Sequence, residues 1–376
     1  MRVWLVLLVA ACKFDHGTTG DGGSDGPVDG LVDMMPDGFD PKCFGKAPFT
    51  ICLDDVPGSP LTVPADINTS DTGPANCPVI GGAVVSVGGV ETCVLAGTDV
   101  TVSGSIIGVE GARPLVVVAT GTLTVSTMNF DITSGLGGTG PNANPTDCAP
   151  VTTMNGGSGN GGGGGGAGGS FGSQGGNGGS GANATVDGGS AKPADITFDK
   201  LRGGCKGGVG GVGEATDTQG GSGGGVLYLV SRDSIMITGR INASGAGGNG
   251  GDGGRGGAGG GGSGGMIVLF APNLSIGAGG RVFANGGGGG GGAGNTTVDG
   301  GRGGDGLEPE TPALGGIAGE IQGTPGGNGA FKSTDAVSAA PAMQGGGGGG
   351  GGVGVIRILS GQTVAPINVS PTPILN

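Results

Sequence analysis

Apolar residues come in short bursts along this chain, never at sustained helical spacing. The stretch 225–245, GVLYLVSRDSIMITGRINASG, holds a continuous apolar run at Val226–Val230, an alternating run at Ile235–Ile237 and a short third at Ile241–Ala243. Period-two alternation predicts strands. The same three-part pattern recurs at 92–111, 114–135, 265–286 and 354–370. Three short strands within about 20 residues form one coil of a parallel β-helix. A single coil cannot bury its own apolar face, so coils must stack to make a core. The expected fold class is therefore all-β, a parallel β-helix or solenoid. Its candidate core residues are Leu227, Leu229, Ile235, Ile237, Ile267, Leu269, Leu274 and Ile276. Asp131, Asn242 and Asn285 fall near comparable corners, where Asn and Asp tolerate left-handed backbone. The alternative is an antiparallel β-sandwich with disordered glycine linkers. Against it, the strand segments lack the two-residue hairpin turns of a meander.

Between the apolar bursts lie tracts that are almost all glycine, at about 155–187, 206–225, 245–265 and 286–352. Glycine supplies 103 of the 376 residues, several times its usual share. Collagen is excluded, because runs such as GGGGGGGG break a strict three-residue frame and carry no proline. Full disorder is excluded by PLVVVAT, VLYLVS, MIVLFA and GVIRILS. Within the tracts, GGNGGDGGRGGA reads as glycine-glycine-X. The polyproline II conformation turns once in three residues and leaves its amides facing outward, so bare glycine backbones can approach and pair. The tracts are thus expected to be polyglycine II-like arms running out from the coils and back. Ten residues each way would reach roughly 30 Å. Disordered linkers are the competing expectation.

The amino terminus suggests an address. Arg2 precedes the apolar stretch Val3–Ala11, which is too short to span a bilayer and has the size of a signal-peptide core. Residues 1–11 are read as a lipoprotein signal peptide. Val9-Ala10-Ala11-Cys12 resembles the bacterial lipobox, which implies that Cys12 is acylated and anchors the protein in a membrane. Residues 12–42 then form an acidic tether rich in Gly, Asp and Pro, and 43–376 form the folded domain. Lys13 after the lipidated cysteine favours the outer membrane under enteric sorting rules. Six further cysteines, Cys43, Cys52, Cys77, Cys93, Cys148 and Cys205, suggest disulfides in an exported chain and allow fifteen pairings. Sequence proximity favours Cys43–Cys52, Cys77–Cys93 and Cys148–Cys205. No pair has CxxC spacing, which makes a zinc or redox site the weaker reading. The lipobox, the tether, GGCKGG and the two segments around 225–245 and 265–286 together resemble glycine-rich surface lipoproteins of myxobacterial type. That resemblance covers nearly the whole mature chain and implies an exported, anchored β-helical protein without an assigned activity. The glycine tracts alone are also similar to PGRS-type proteins and certain phage adhesins.

Charge and chemistry narrow the function further. A formal net charge of −13 with one Trp and one Tyr leaves no basic, stacking surface for nucleic acid. His16 is the single histidine and lies in the tether, so histidine triads and histidine metal sites are excluded. GGRGGDGLE (300–308) fits one calcium β-roll nonapeptide with Asp305 as would-be ligand, and GGNGGDGGR (247–255) nearly fits. Such sites need tandem copies, and these stand apart, so no metal or cofactor is expected. Asp195, Asp199, Lys200 and Arg202 are the densest charged cluster outside the tether, with no paired-carboxylate motif and no phosphate loop. The expected function is a non-catalytic cell-surface lipoprotein with a structural or adhesive role, contacting glycans, matrix or other cells. The alternative is a polysaccharide lyase or glycosidase on the same scaffold, which a grouped acid pair on one coil face would favour. A flat face templating ice or mineral comes third, since the coils show no threonine rows.

Overall fold

The computed structural model describes residues 40–70, 77, 83–135, 138–148, 154–195, 197–214, 216–295, 297–306, 311–360 and 368–375. The described chain opens with a small antiparallel pair, β1 (Cys43–Phe44) and β2 (Ile51–Cys52), and continues through β3 (Leu61–Thr62) and β4 (Asp66–Asn68). A hairpin follows, β5 (Ala83–Val87) and β6 (Val90–Gly97). Its two-residue turn is Gly88-Gly89, both with positive φ, 58° and 80°. That geometry suits a hairpin turn whose twist matches its strands, and here the sequence reading overlooked a hairpin.

From β6 onward the strands come in threes. β6 leads to β7 (Val100–Val102) and β8 (Ile106–Glu110), and the next set is β9 (Leu115–Ala119), β10 (Thr122–Val125) and β11 (Asn129–Asp131). Then come β12 (Val226–Ser231), β13 (Ser234–Ile237) and β14 (Arg240–Asn242), followed by β15 (Met266–Phe270), β16 (Asn273–Ile276) and β17 (Arg281–Phe283). The chain ends with β18 (Val355–Ile358), β19 (Val369–Ser370) and β20 (Ile374–Leu375). The members of each of the first four sets join three different sheets, whereas in the last set β18 and β20 share one sheet and β19 joins another. The first sheet runs β20-β18-β15-β12-β9-β6-β5, the second β16-β13-β10-β7-β3, and the third β19-β17-β14-β11-β8-β4. Apart from the β5–β6 edge, every pairing in these three sheets is parallel. The protein is all-β with parallel sheets, and the antiparallel sandwich is ruled out.

Register explains the apolar code. Leu115, Leu227, Ile267 and Ile356 lie side by side in the first sheet, and Leu123, Ile235 and Leu274 do so in the second. Together with Ile107, Phe130, Ile241 and Val282 of the third sheet they form one buried cluster. Seven of the eight expected core residues belong to it, and the eighth, Ile276, is partly buried and packs against it. The first sheet is covered on its other face too. Val116, Tyr228, Val230, Met266 and Val268 pack there against Phe44, Phe49, Ile51, Phe171 and Leu201. Strands buried on both faces read as unbroken apolar runs, whereas the second sheet, wet on one side, alternates. This is why VLYLV and MIVLF run without the polar alternation that TLTV and NLSI retain.

Asp131 and Asn242 are opposite each other in the third sheet. Neither they nor Asn285 is left-handed, contrary to expectation. Instead Asp131 and Asn242 each accept an N–H two residues on, from Thr133 and Ser244, both at 3.0 Å. A side-chain oxygen that closes such a turn makes positive φ unnecessary. Asn285 lies two residues past Phe283, the partner of Asn242.

Candidate functional site

Every long insertion leaves from the same corner. The segments between β11 and β12, β14 and β15, and β17 and β18 all start at the end of a third-sheet strand and return to the start of a first-sheet strand. Stacked strands therefore put their insertions side by side, and the glycine tracts form a common layer there.

The segment 286–293 shows how the layer is built. Gly286, Gly289 and Gly292 donate to Ala330, Gly327 and Thr324 at 2.9–3.0 Å. Gly287, Gly290 and Ala293 donate to Gly262, Gly259 and Gly256 at 2.9–3.0 Å, and Gly288 and Gly291 donate to Gly304 and Gly301 at 2.8–2.9 Å. Residues three apart thus address one neighbour, and successive residues address three different ones. The carbonyls do likewise. Gly288 and Gly291 accept from Gly248 and Gly251, Gly289 and Gly292 from Gly316 and Gly319, and Gly287 and Gly290 from Gly351 and Gly348. One segment is thereby bonded to six others, and its buried backbone is satisfied without sheet or helix, as burial requires.

Glycine is obligatory at Gly288 and Gly291 for a steric reason. A Cβ on Gly291 would stand 1.8 Å from the Ile317 carbonyl oxygen, and one on Gly288 would stand 2.1 Å from that of Leu314. On the outermost segments the frame relaxes to a larger side chain at every third position. Lys206, Val209 and Val212 form one such row, Asp299, Arg302 and Asp305 another, and Leu314, Ile317 and Glu320 a third. Leu314 and Ile317 are 67% and 76% exposed, so this row presents apolar surface outward.

Where the third sheet meets the base of the layer, a cleft of about 670 Å³ opens. Asp66, Gly108 and Asp131 lie in one register row across β4, β8 and β11, and all three line the cleft with Glu110 and Asp305. Gly108 has no side chain, so the two aspartates face each other across a gap of two strand spacings, about 10 Å between backbones. Asp131 Oδ1 accepts the Thr133 hydroxyl at 2.6 Å, Glu110 Oε1 accepts from Asn68 Nδ2 at 3.3 Å, and Asp305 Oδ1 accepts from Gly247 N at 2.8 Å and Arg302 Nη2 at 2.5 Å. The would-be calcium ligand Asp305 is therefore held by an arginine. Among the described residues no three His, Cys, Asp or Glu side chains gather closely enough to hold a metal ion. The sequence reading missed this acid row because its members lie 65 residues apart, and only strand register brings them together.

The other singled-out residues separate. Cys12 and His16 lie outside the described residues. The structure contains the disulfides Cys43–Cys52, Cys77–Cys93 and Cys148–Cys205, which join consecutive cysteines as the sequence reading favoured. Of the charged cluster, Asp195 and Arg202 form an ion pair at 2.7 Å, while Asp199 and Lys200 are exposed. No protein-family model, curated protein or solved structure matches the chain. Its class rests on its own geometry: a disulfide-braced all-β protein of parallel sheets carrying a hydrogen-bonded glycine layer.

Proposed function

We propose that this chain is a lipid-anchored cell-surface protein with a structural or adhesive, non-catalytic role. Its strand sets form a parallel β-helix, and its insertions are polyglycine II-like arms. Cys12 carries the acyl anchor, residues 12–42 are the tether, and the outer membrane is the destination. The arms display ordered rows of side chains toward glycans, matrix or neighbouring cells. The observation that carries this reading is the six-neighbour bonding of the segment 286–293. A layer bonded internally at almost every amide is a rigid platform, and rigid presentation lowers the ordering cost of contact. The test is a screen of residues 43–376 against glycans and whole cells. Binding without turnover is expected, and polysaccharide turnover without stable binding contradicts it. The anchor has its own test. Cys12→Ser should release the protein from the membrane fraction, and unchanged retention refutes the lipid assignment.

A second reading, a glycosidase or lyase, is favoured by the Asp66–Gly108–Asp131 row. Carboxylates roughly 6.5–9.5 Å apart flank the bond in inverting glycosidases, and a two-strand gap permits that distance. Asp131→Asn would abolish any polysaccharide hydrolysis on this reading, and leave glycan binding unchanged on the first.

A further inference from the structure

We propose that the Cys148–Cys205 disulfide is a thiol–disulfide exchange site, attacked at Cys148 by an external dithiol, with Cys205 leaving as a thiolate held by Arg202. Arg202 Nη2 stands 3.1 Å from Cys205 Sγ and 3.4 Å from Cys148 Sγ. Its Nη1 is bound to Asp195 Oδ2 at 2.7 Å, and its guanidinium lies 4.7 Å from the Phe171 ring centre. The side chain is thus fixed from several directions with one amino group aimed at the sulfurs. A disulfide sulfur is a weak acceptor, whereas a thiolate is a strong one, so this donor gains most once the bond has opened.

The surroundings distinguish the two sulfurs. Cys205 is 8% exposed and Cys148 is half-buried. A cavity of about 190 Å³ is lined by both cysteines with Arg202, Asp195, Asp147 and Lys192. A larger one of about 550 Å³ is lined by Cys148 and Lys206 but not by Cys205. In-line attack must come from the side away from the leaving sulfur, and the second cavity reaches Cys148 without reaching Cys205. Lys206 there attracts an incoming thiolate. Asp147 and Asp195 oppose a new anion, and Arg202, Lys192 and Lys206 favour it. Burial holds the Arg202 pKa below its ordinary value, with Asp195 and Asp147 acting against that shift.

The exchange balances as follows. A thiolate of the dithiol bonds to Cys148 Sγ, the Sγ–Sγ bond breaks, and its electron pair leaves on Cys205. The second thiol, deprotonated to solvent, then attacks its own partner sulfur in the mixed disulfide and expels Cys148, which takes a proton from water. The dithiol ends as a cyclic disulfide, and the protein gains two electrons. The bridge spans 57 residues that include the segment 163–169, whose amides bond to Arg255, Ala258 and Gly261 of a later tract. Opening it would untie the root of that segment.

The experiment treats the intact oxidised protein with glutathione and with dithiothreitol, quenches by alkylation and maps each cysteine by mass spectrometry. The Cys43–Cys52 bridge, exposed at Cys52, serves as the internal reference. The expected glutathione adduct is on Cys148 with Cys205 free. Arg202→Lys should slow opening roughly tenfold against the reference bridge, and Lys206→Gln should slow it to a lesser degree. An adduct on Cys205, or an unchanged ratio in both variants, overturns the proposal. Should Arg202→Lys fail to fold, Cys148→Ser gives a second readout through the pH profile of Cys205 alkylation. A thiol pKa below the ordinary value of about 8.5 supports the assignment, and one at or above it defeats it.

Discussion

At the scale of single residues, glycine here is a packing requirement more than a flexible hinge. Gly291 has a carbonyl oxygen where its Cβ would be, whereas Gly58 has nothing within 4 Å. Gly291→Ala should therefore cost on the order of 1–3 kcal/mol or more through overpacking, and Gly58→Ala should be close to neutral. Chemical denaturation of the two variants checks the contrast, and equal effects would refute the steric account. Tyr228 supplies a second case. Its side chain is fully buried, and its hydroxyl finds no partner among the described residues. Burial pushes its pKa above the ordinary 10. The unfolded chain therefore releases this proton first, and stability should fall as pH rises above about 10. Tyr228→Phe should remove that alkaline limb. At neutral pH it should add up to about 1 kcal/mol by deleting an unpaired buried hydroxyl. A melting-temperature series between pH 8 and pH 11 reads both effects.

At the scale of elements, alternation is the stabilising code of the second sheet. In β13, Ile235 is 1% exposed while its neighbour Met236 is 43% exposed. Ile235→Ala should cost about 2–5 kcal/mol by leaving a cavity, and Met236→Ala well under half of that. A denaturation midpoint for each variant tests the facing. These positions were legible beforehand because period-two spacing and burial are one signal, and the sets β9 to β17 lie where the apolar bursts do. What escaped notice had weaker local signals. Leu61 and Ile67 each sit in strands of two or three residues, too short to alternate. β5 was hidden because Gly88-Gly89 resembles any other glycine pair in a chain so rich in them. The acid row of Asp66 and Asp131 was invisible for a different reason, since it exists only through the register of strands distant in sequence. The disulfide partners were legible by proximity, while the contact of Arg202 with both sulfurs of Cys148–Cys205 was not.

At the scale of the whole molecule, one topological fact organises the rest. Because every long insertion leaves and re-enters at the same corner, stacking the strands also stacks the insertions. The apolar core and the glycine layer are then two outcomes of one register. In the core, side chains fill space between sheets; in the layer, their absence lets backbones meet. Larger side chains recur at every third position on outer segments, as in Leu314, Ile317 and Glu320. Each such Cβ stands where a further segment would pack, much as edge residues discourage accretion onto a sheet. The most direct test of this account is amide hydrogen exchange across residues 286–293, compared with β12 in the same molecule. Protection comparable to that of Val226–Ser231 is the expected result. Exchange at the rate of an unstructured glycine peptide would contradict the claim that the tracts are built and bonded parts of the fold.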